Sequence, residues 1–140
     1  MKNQITENFT LEELCHSNKA VELGLTNIPN EEQIWNLTIL TVNLLQPVHN
    51  LYKKPMPIQS GFRSTKVNAA VNGSKTSDHL HGKSADIRAE NPRELFDLVR
   101  NSTLSFDQLI LYPTFVHMSY RNASENRNQV LYAKGVKTSS

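Results

Sequence analysis

The stretch SDHLHGKSADIR, residues 77 to 88, sets two histidines and an aspartate around one glycine and then passes from an irregular segment into an alternating one. Residues 83 to 88 place Ala85 and Ile87 on one face and Ser84, Asp86 and Arg88 on the other, the period of two expected of a strand. Asp86 therefore belongs to a rigid element. Gly82 lets the chain turn without a Cβ, so that the strand presents Asp86 on its polar face toward whatever His79 addresses. A catalytic zinc site commonly takes three protein ligands from His, Asp or Glu and leaves a position for water. His79 and Asp86 are two candidates, and a third must come from elsewhere.

Downstream of this stretch, Pro92 suits the first turn of a helix with Leu95, Phe96, Leu98 and Val99 as its buried face. FDQLILY, Phe106 to Tyr112, is the best strand in the chain; Tyr112-Pro113-Thr114 reads as a turn into a second, FVHMSY, and NQVLYAKG from Asn128 gives a third before a polar KTSS tail. Upstream, residues 57 to 62 form a short strand leading to Arg63, and Ser64 caps a helix through Val67, Ala70 and Val71 that closes at Asn72-Gly73. Thr10 and Glu13 make a capping box for an opening helix that buries Leu11, Leu14 and Cys15 and ends near Asn18. Beyond the connector GLTNIP, Asn30 caps a long helix with Ile34, Leu37, Leu40, Leu44 and Leu45 as its apolar stripe, running to about Val48 or Leu51 with a kink expected at Pro47. Pro55 and Pro57 force an extended exit. Helices come first and strands cluster later, which predicts an α+β domain with helices packed on a mainly antiparallel sheet.

The length of 140 residues suits one domain spanning 1–140. Fifteen basic residues against thirteen acidic ones are scattered rather than striped, so no nucleic-acid footprint is expected. The single cysteine, Cys15, excludes an intrachain disulfide and reads as a small buried apolar residue. The opening MKNQITENFT has no apolar run of a secretory signal, and no stretch approaches the roughly 18 apolar residues of a membrane span. Synthesis in the cytoplasm without membrane insertion is the expectation. Five N-x-S/T triplets follow from an Asn-rich and Ser/Thr-rich composition.

His16 and His49 have no carboxylate at matched spacing and are set aside. His117 lies inside FVHMSY with Phe115 and Ser119 on its own face and Val116 and Met118 on the other. A strand imidazole amid apolar residues is more often a satisfied core or surface histidine, so its case as the third ligand rests on the company of His79 and Asp86.

That company resembles a known family. SGFRS at 60 to 64, VNAAVNGS at 67 to 74, SDHLHGKSADI at 77 to 87, and FDQLI followed by FVHMSY are similar to the zinc D-alanyl-D-alanine carboxypeptidase family of metallopeptidases, which includes peptidoglycan endopeptidases. The SxHxxGxAxD motif appears as Ser77, His79, Gly82, Ser84 and Asp86, with Ser84 in the small Ala position. FTLEEL, the NIP connector and LLQPVH extend the resemblance over nearly the whole chain. It implies the zinc DD-peptidase (hedgehog-like) fold, with zinc as cofactor held by His79, Asp86 and His117. It also implies Arg63 as a group that binds substrate or stabilises developing negative charge, and a peptidoglycan stem peptide cut next to a D-amino acid. Carboxypeptidase and endopeptidase action both remain open. Two neutral imidazoles and one carboxylate leave zinc a net positive charge, enough to polarise a carbonyl and bring bound water toward a pKa of roughly 7. The planar fork of Arg63 suits a carboxylate or an oxyanion.

The sequence departs from the family at the proton-transfer group. Many relatives carry an acid three positions before the last histidine ligand, here Thr114, or a glutamate just after the QLI strand, here Tyr112. Asp107 is the nearest remaining acid and the candidate for proton handling, although strand alternation puts it on the face opposite Tyr112, where orienting a ligand or a loop is its alternative role. Ser77, His81 and Tyr112 are candidate substrate contacts, with His81 also free to support a ligand or face solvent, and Asp78 is read as solvated. Loss of general-base help costs roughly 10²- to 10⁴-fold, which keeps a non-catalytic zinc-stabilised module that binds cell-wall peptide as the alternative. A monomer is expected. The missing signal suits a phage or prophage lysis enzyme that reaches the cell wall after release by a separate partner.

Overall fold

The computed structural model describes residues 3–138. Its first elements are a small antiparallel ribbon of β1 (Gln4–Thr6) and β2 (Phe9–Thr10), which sequence reading did not anticipate; the buried Phe9 ring fixes it to the core. Helix α1 (Leu11–Cys15) starts at the expected capping box: Glu13 N–H donates to Thr10 Oγ1, and Thr10 N–H donates to Glu13 Oε1. It stops short of Asn18. Ser17 accepts from the Ala20 amide and thereby opens a separate helix, α2 (Asn18–Leu23), because a serine hydroxyl offers the backbone an alternative to continuing the previous turn.

Helix α3 (Glu31–Leu40) begins at Asn30 with a reciprocal Gln33 contact and continues through a π turn (Thr41–Leu45) into α4 (Gln46–Tyr52). Pro47 has no N–H to give and its ring crowds the preceding turn. The disturbance expected at Pro47 takes the form of that π turn, closed by Gln46 N–H donating to Thr41 C=O. Leu37, Leu40, Leu44, Leu45 and Val48 lie fully buried along this scaffold. Each such side chain contributes about 1.5–3 kcal/mol relative to exposure.

Five strands form the main sheet: β3 (Ile58–Ser60), β4 (Ser84–Arg88), β5 (Gln108–Leu111), β6 (Phe115–Ser119) and β7 (Gln129–Tyr132), in the order β3-β4-β6-β5-β7. All pairs are antiparallel except β5 with β7, so the α+β, mainly antiparallel reading holds. The parallel pair has a simple origin. The segment 120–128 leaves β6 beside the start of β5 and enters β7 at that same end, where Gln129 lies opposite Gln108.

Between these strands lie α5 (Thr65–Ala70), capped by Ser64, and α6 (Pro92–Arg100), which begins with Pro92 as expected and is capped by Asn91. Alternation divides the sheet cleanly. Ala85, Ile87, Leu109, Leu111, Val116 and Met118 face the helices and join one apolar cluster with α3, α4 and the Leu95, Phe96 and Val99 face of α6. The opposite parity leaves Asp86, Gln108, Ile110, Tyr112, Phe115 and His117 on the other face, where they line a cleft.

Candidate metal centre

The register of β4 against β6 sets Asp86 directly opposite His117, and the two side chains meet with His117 Nδ1 at 2.8 Å from Asp86 Oδ1. His79 arrives from a 3-10 turn (Asp78–His81). Four backbone-directed contacts fix that turn. Ser77 Oγ accepts from His79 N–H at 3.1 Å, Arg63 N–H donates to His79 C=O at 3.0 Å, and Gln33 and Asn36 of α3 donate their side-chain amides to the carbonyls of Leu80 and His81.

The His79 ring has one orientation available. Its Nδ1 lies 2.7 Å from Gly61 C=O, an oxygen that only accepts, so Nδ1 donates there and Nε2 is turned toward Asp86 Oδ2 at 3.3 Å. Close approach makes this possible: a Cβ on Gly61 would stand 2.2 Å from the Leu14 carbonyl oxygen. Gly82, at φ +73°, ends the turn where a side chain would meet Gln33 C=O at 2.6 Å.

The facing donor atoms of His79, Asp86 and His117 all lie within 4.8 Å of one another. His79 is 2% exposed and Asp86 8%. Burial alone raises the Asp86 carboxyl pKa, but hydrogen bonds from His117 and His79 outweigh it and hold the group well below the usual carboxylate range. Two imidazole nitrogens and an ionised carboxylate, converging at the edge of a cleft, are the donor set of an open tetrahedral site.

The cleft has a volume of about 590 Å³. Arg63 lies at its wall, half-buried, with Nη2 at 3.4 Å from Ser77 Oγ and with a buried Nε that has no hydrogen-bond partner among the described residues. Burial lowers the Arg63 pKa, against the raising effect of Asp86 and Tyr112. Tyr112 stacks on Phe115 at 4.4 Å and 10°. Burial and then the Asp86 charge push its hydroxyl up, with Arg63 acting the other way, so at neutral pH Tyr112 is a hydrogen-bond donor and no base.

The sequence profile of Peptidase M15 matches residues 7–119. The chain belongs to the Peptidase M15 family. No curated protein matches it. Membership makes it a metallopeptidase-type chain with a peptide as substrate class, and the buried His-Asp-His cluster is where this M15 chain can hold a metal. Among the described residues no helix is long and apolar enough to cross a membrane.

The structure brings Arg63, Ser77, Tyr112 and the three ligand candidates of the M15 chain to one cleft, and leaves two expected residues outside it. His81 is exposed and does not line the cleft; its backbone carbonyl accepts from Asn36 Nδ2. Asp107 is fully buried behind it. Its Oδ1 accepts from the Arg127 backbone N–H at 3.2 Å and Nε at 2.9 Å, and its Oδ2 accepts from Arg127 Nη2 at 2.8 Å and pairs with Arg121 Nε at 3.1 Å. Both oxygens are occupied, and the hydrogen bonds from Arg127 in particular hold its carboxyl below the ordinary range despite burial. Of the two roles expected of Asp107, this engagement favours the orienting one over proton handling. Thr114 is exposed at the turn. Asp78, read as solvated, lines the cleft together with Gln108, Arg121 and Arg127. Strand parity with Tyr112 could have found Gln108; the two arginines follow the last ligand strand without any periodic signal.

Proposed function

We propose that this chain is a zinc-dependent peptidase that cuts peptidoglycan stem peptides beside a D-amino acid. The observation that carries the reading is the buried cluster of His79, Asp86 and His117, with three donor atoms facing one another at the edge of a cleft, beside a half-buried arginine with an unpaired nitrogen. Zinc bound there would act as a Lewis acid on the peptide carbonyl and lower the pKa of water. The remaining tasks fall to the chain. Arg63, partly stripped of water, offers its fork to the carboxylate of a terminal residue or to the oxygen that gains charge. The neutral Tyr112 hydroxyl can donate a hydrogen bond to substrate, and the stacked Tyr112 and Phe115 rings give a flat apolar wall against which a D-alanine methyl can pack. Ser77 holds both the His79 turn and Arg63 in place.

We assign the fold to the hedgehog-like type of the zinc DD-peptidases, acting as one domain and as a monomer. The place of action under this reading is the cell wall, where the substrate is. An Arg63 that grips a free terminal carboxylate favours carboxypeptidase action, whereas an endopeptidase would use it on the developing oxyanion.

A second reading, a zinc-stabilised module that binds cell-wall peptide without cutting it, is favoured by the engagement of Asp107, the exposure of Thr114 and the protonated state of Tyr112. Mass spectrometry of muropeptides incubated with the zinc-loaded chain separates the two. The peptidase reading expects new peptide ends that disappear on chelation and in His79→Ala; intact muropeptides that nevertheless bind tightly support the module.

A further inference from the structure

Helix α5 buries two residues, Val67 and Asn68, and only the first is apolar. Asn68 is 4% exposed. Asparagine is a weak helix former, and a buried amide is costly unless it is hydrogen-bonded, so neither the helix nor the core accounts for this residue. Its partners lie in the segment that follows. Asn68 C=O accepts from Gly73 N–H at 2.8 Å, and Asn68 Nδ2 donates to Ser74 C=O at 2.9 Å. Gly73 is pressed onto the same amide: a Cβ there would stand 2.1 Å from Asn68 Oδ1, a buried atom with no hydrogen-bond partner among the described residues. One residue thus fixes the course of the chain after α5, although 73–77 belong to no helix or strand.

That course leads to the metal centre. Gly73, Ser74, Thr76 and Ser77 line the cleft. Ser74 C=O, held by Asn68, accepts a second hydrogen bond from Ser77 N–H at 3.0 Å. Ser77 Oγ in turn accepts from His79 N–H at 3.1 Å and from Arg63 Nη2 at 3.4 Å. A line of three hydrogen bonds therefore joins a buried helix side chain to the backbone of a ligand candidate. Gln33 and Asn36 grip the later half of the His79 turn, at the carbonyls of Leu80 and His81. Its entry is held at Ser77, and Ser77 is held through Ser74 by Asn68.

We propose that Asn68 is a positioning residue of the metal centre: it holds the loop 73–77 so that Ser77 Oγ meets the His79 amide and the imidazole stands against Asp86 and His117. Asn68 acts through Ser74 and Ser77 and touches neither metal nor substrate. The proposal rests on the reading of His79, Asp86 and His117 as zinc ligands, and it holds whether or not a bound peptide is cut.

The test measures zinc affinity of the full chain by competition with a chromophoric chelator in wild type, Asn68→Ala, Ser77→Ala and the double variant. Asn68→Ala should weaken zinc about tenfold, the lower end of the loss that follows removal of a contact supporting a ligand. In the Ser77→Ala background the same substitution should cost about threefold or less, because the line is already cut. A residue that only stabilises the fold would instead give losses of equal size in the two backgrounds. Far-UV spectra identify a variant that has not folded. Asn68→Ser, whose shorter side chain can bond back to its own helix but not reach Ser74, then takes the place of the alanine variant. Unchanged zinc affinity on substitution of Asn68, or a loss of the same size with and without Ser77 Oγ, overturns the proposal while the metal reading stands. A wild-type chain that binds no zinc overturns the metal reading and the proposal with it.

Discussion

Asp107 and Asp86 are both buried aspartates with depressed pKa values, and they differ in what depresses them. Asp86 faces two imidazoles whose nitrogens can exchange a proton for a metal, whereas Asp107 is closed by two arginines that cannot deprotonate. The first is therefore available to chemistry and the second to structure. Asp107→Asn keeps the shape but removes the charge that holds Arg127 and Arg121, and it should lower stability at neutral pH by about 1–3 kcal/mol in urea titrations. The sign of its pH dependence follows from the lowered carboxyl. A depressed pKa stabilises the folded state above 3.8, the ordinary value, and that contribution is lost as pH falls further toward the folded value. The gap between wild type and Asp107→Asn should accordingly shrink when unfolding is repeated below pH 3.8; a gap that stays constant there would contradict the buried ion pair. At the same scale, sequence reading found His79, Asp86, Arg63 and Tyr112 for the cleft because motif and parity mark them. It set proton handling ahead of an orienting role for Asp107 because the partners of that carboxylate, Arg121 and Arg127, come from a loop whose course no local pattern records. Cys15 behaves as its composition suggested: burial pushes the thiol up to about 11, the range of an unreactive packing residue.

The elements follow from caps more closely than from apolar stripes. Thr10, Asn30, Ser64 and Pro92 start helices where their side chains predict. The missed break at Ser17 is also a cap, hidden inside an otherwise helical run. The turn that carries His79 depends on Gly82, whose positive φ and contact with the α3 backbone both exclude a Cβ. Gly82→Ala should force the turn away from Gln33 C=O, costing about 1–3 kcal/mol of stability, and should weaken zinc binding because His79 moves with it. Competition titration with a chromophoric chelator reads the second effect. An alanine variant with unchanged zinc affinity would show that the turn is not what positions the ring. The antiparallel ladder between β4 and β6 was implicit in the alternation of KSADIR and FVHMSY, but the parallel placement of β7 was not, since it depends on which end of β5 the loop from β6 reaches.

At the scale of the whole molecule, one sheet separates two environments. Its apolar parity seals against α3, α4 and α6, and its polar parity, together with the His79 turn and Arg63, builds the cleft. The α+β class was legible because helices precede strands and both keep their periods. The convergence of His79 with a strand pair far along the chain was legible only through motif resemblance, since no local rule fixes the distance from residue 79 to residue 117. The family match covers all three ligand candidates and Arg63 and ends at Ser119, so the arginine-bearing loop lies beyond it. The central claim is that His79, Asp86 and His117 form one metal site, and metal stoichiometry with affinity in the single alanine variants tests it most directly. Wild type is predicted to bind about one zinc per chain, and each of His79→Ala, Asp86→Ala and His117→Ala to lose at least about tenfold in affinity while retaining its fold. A chain that binds no zinc, or one whose affinity survives all three substitutions, would contradict the account.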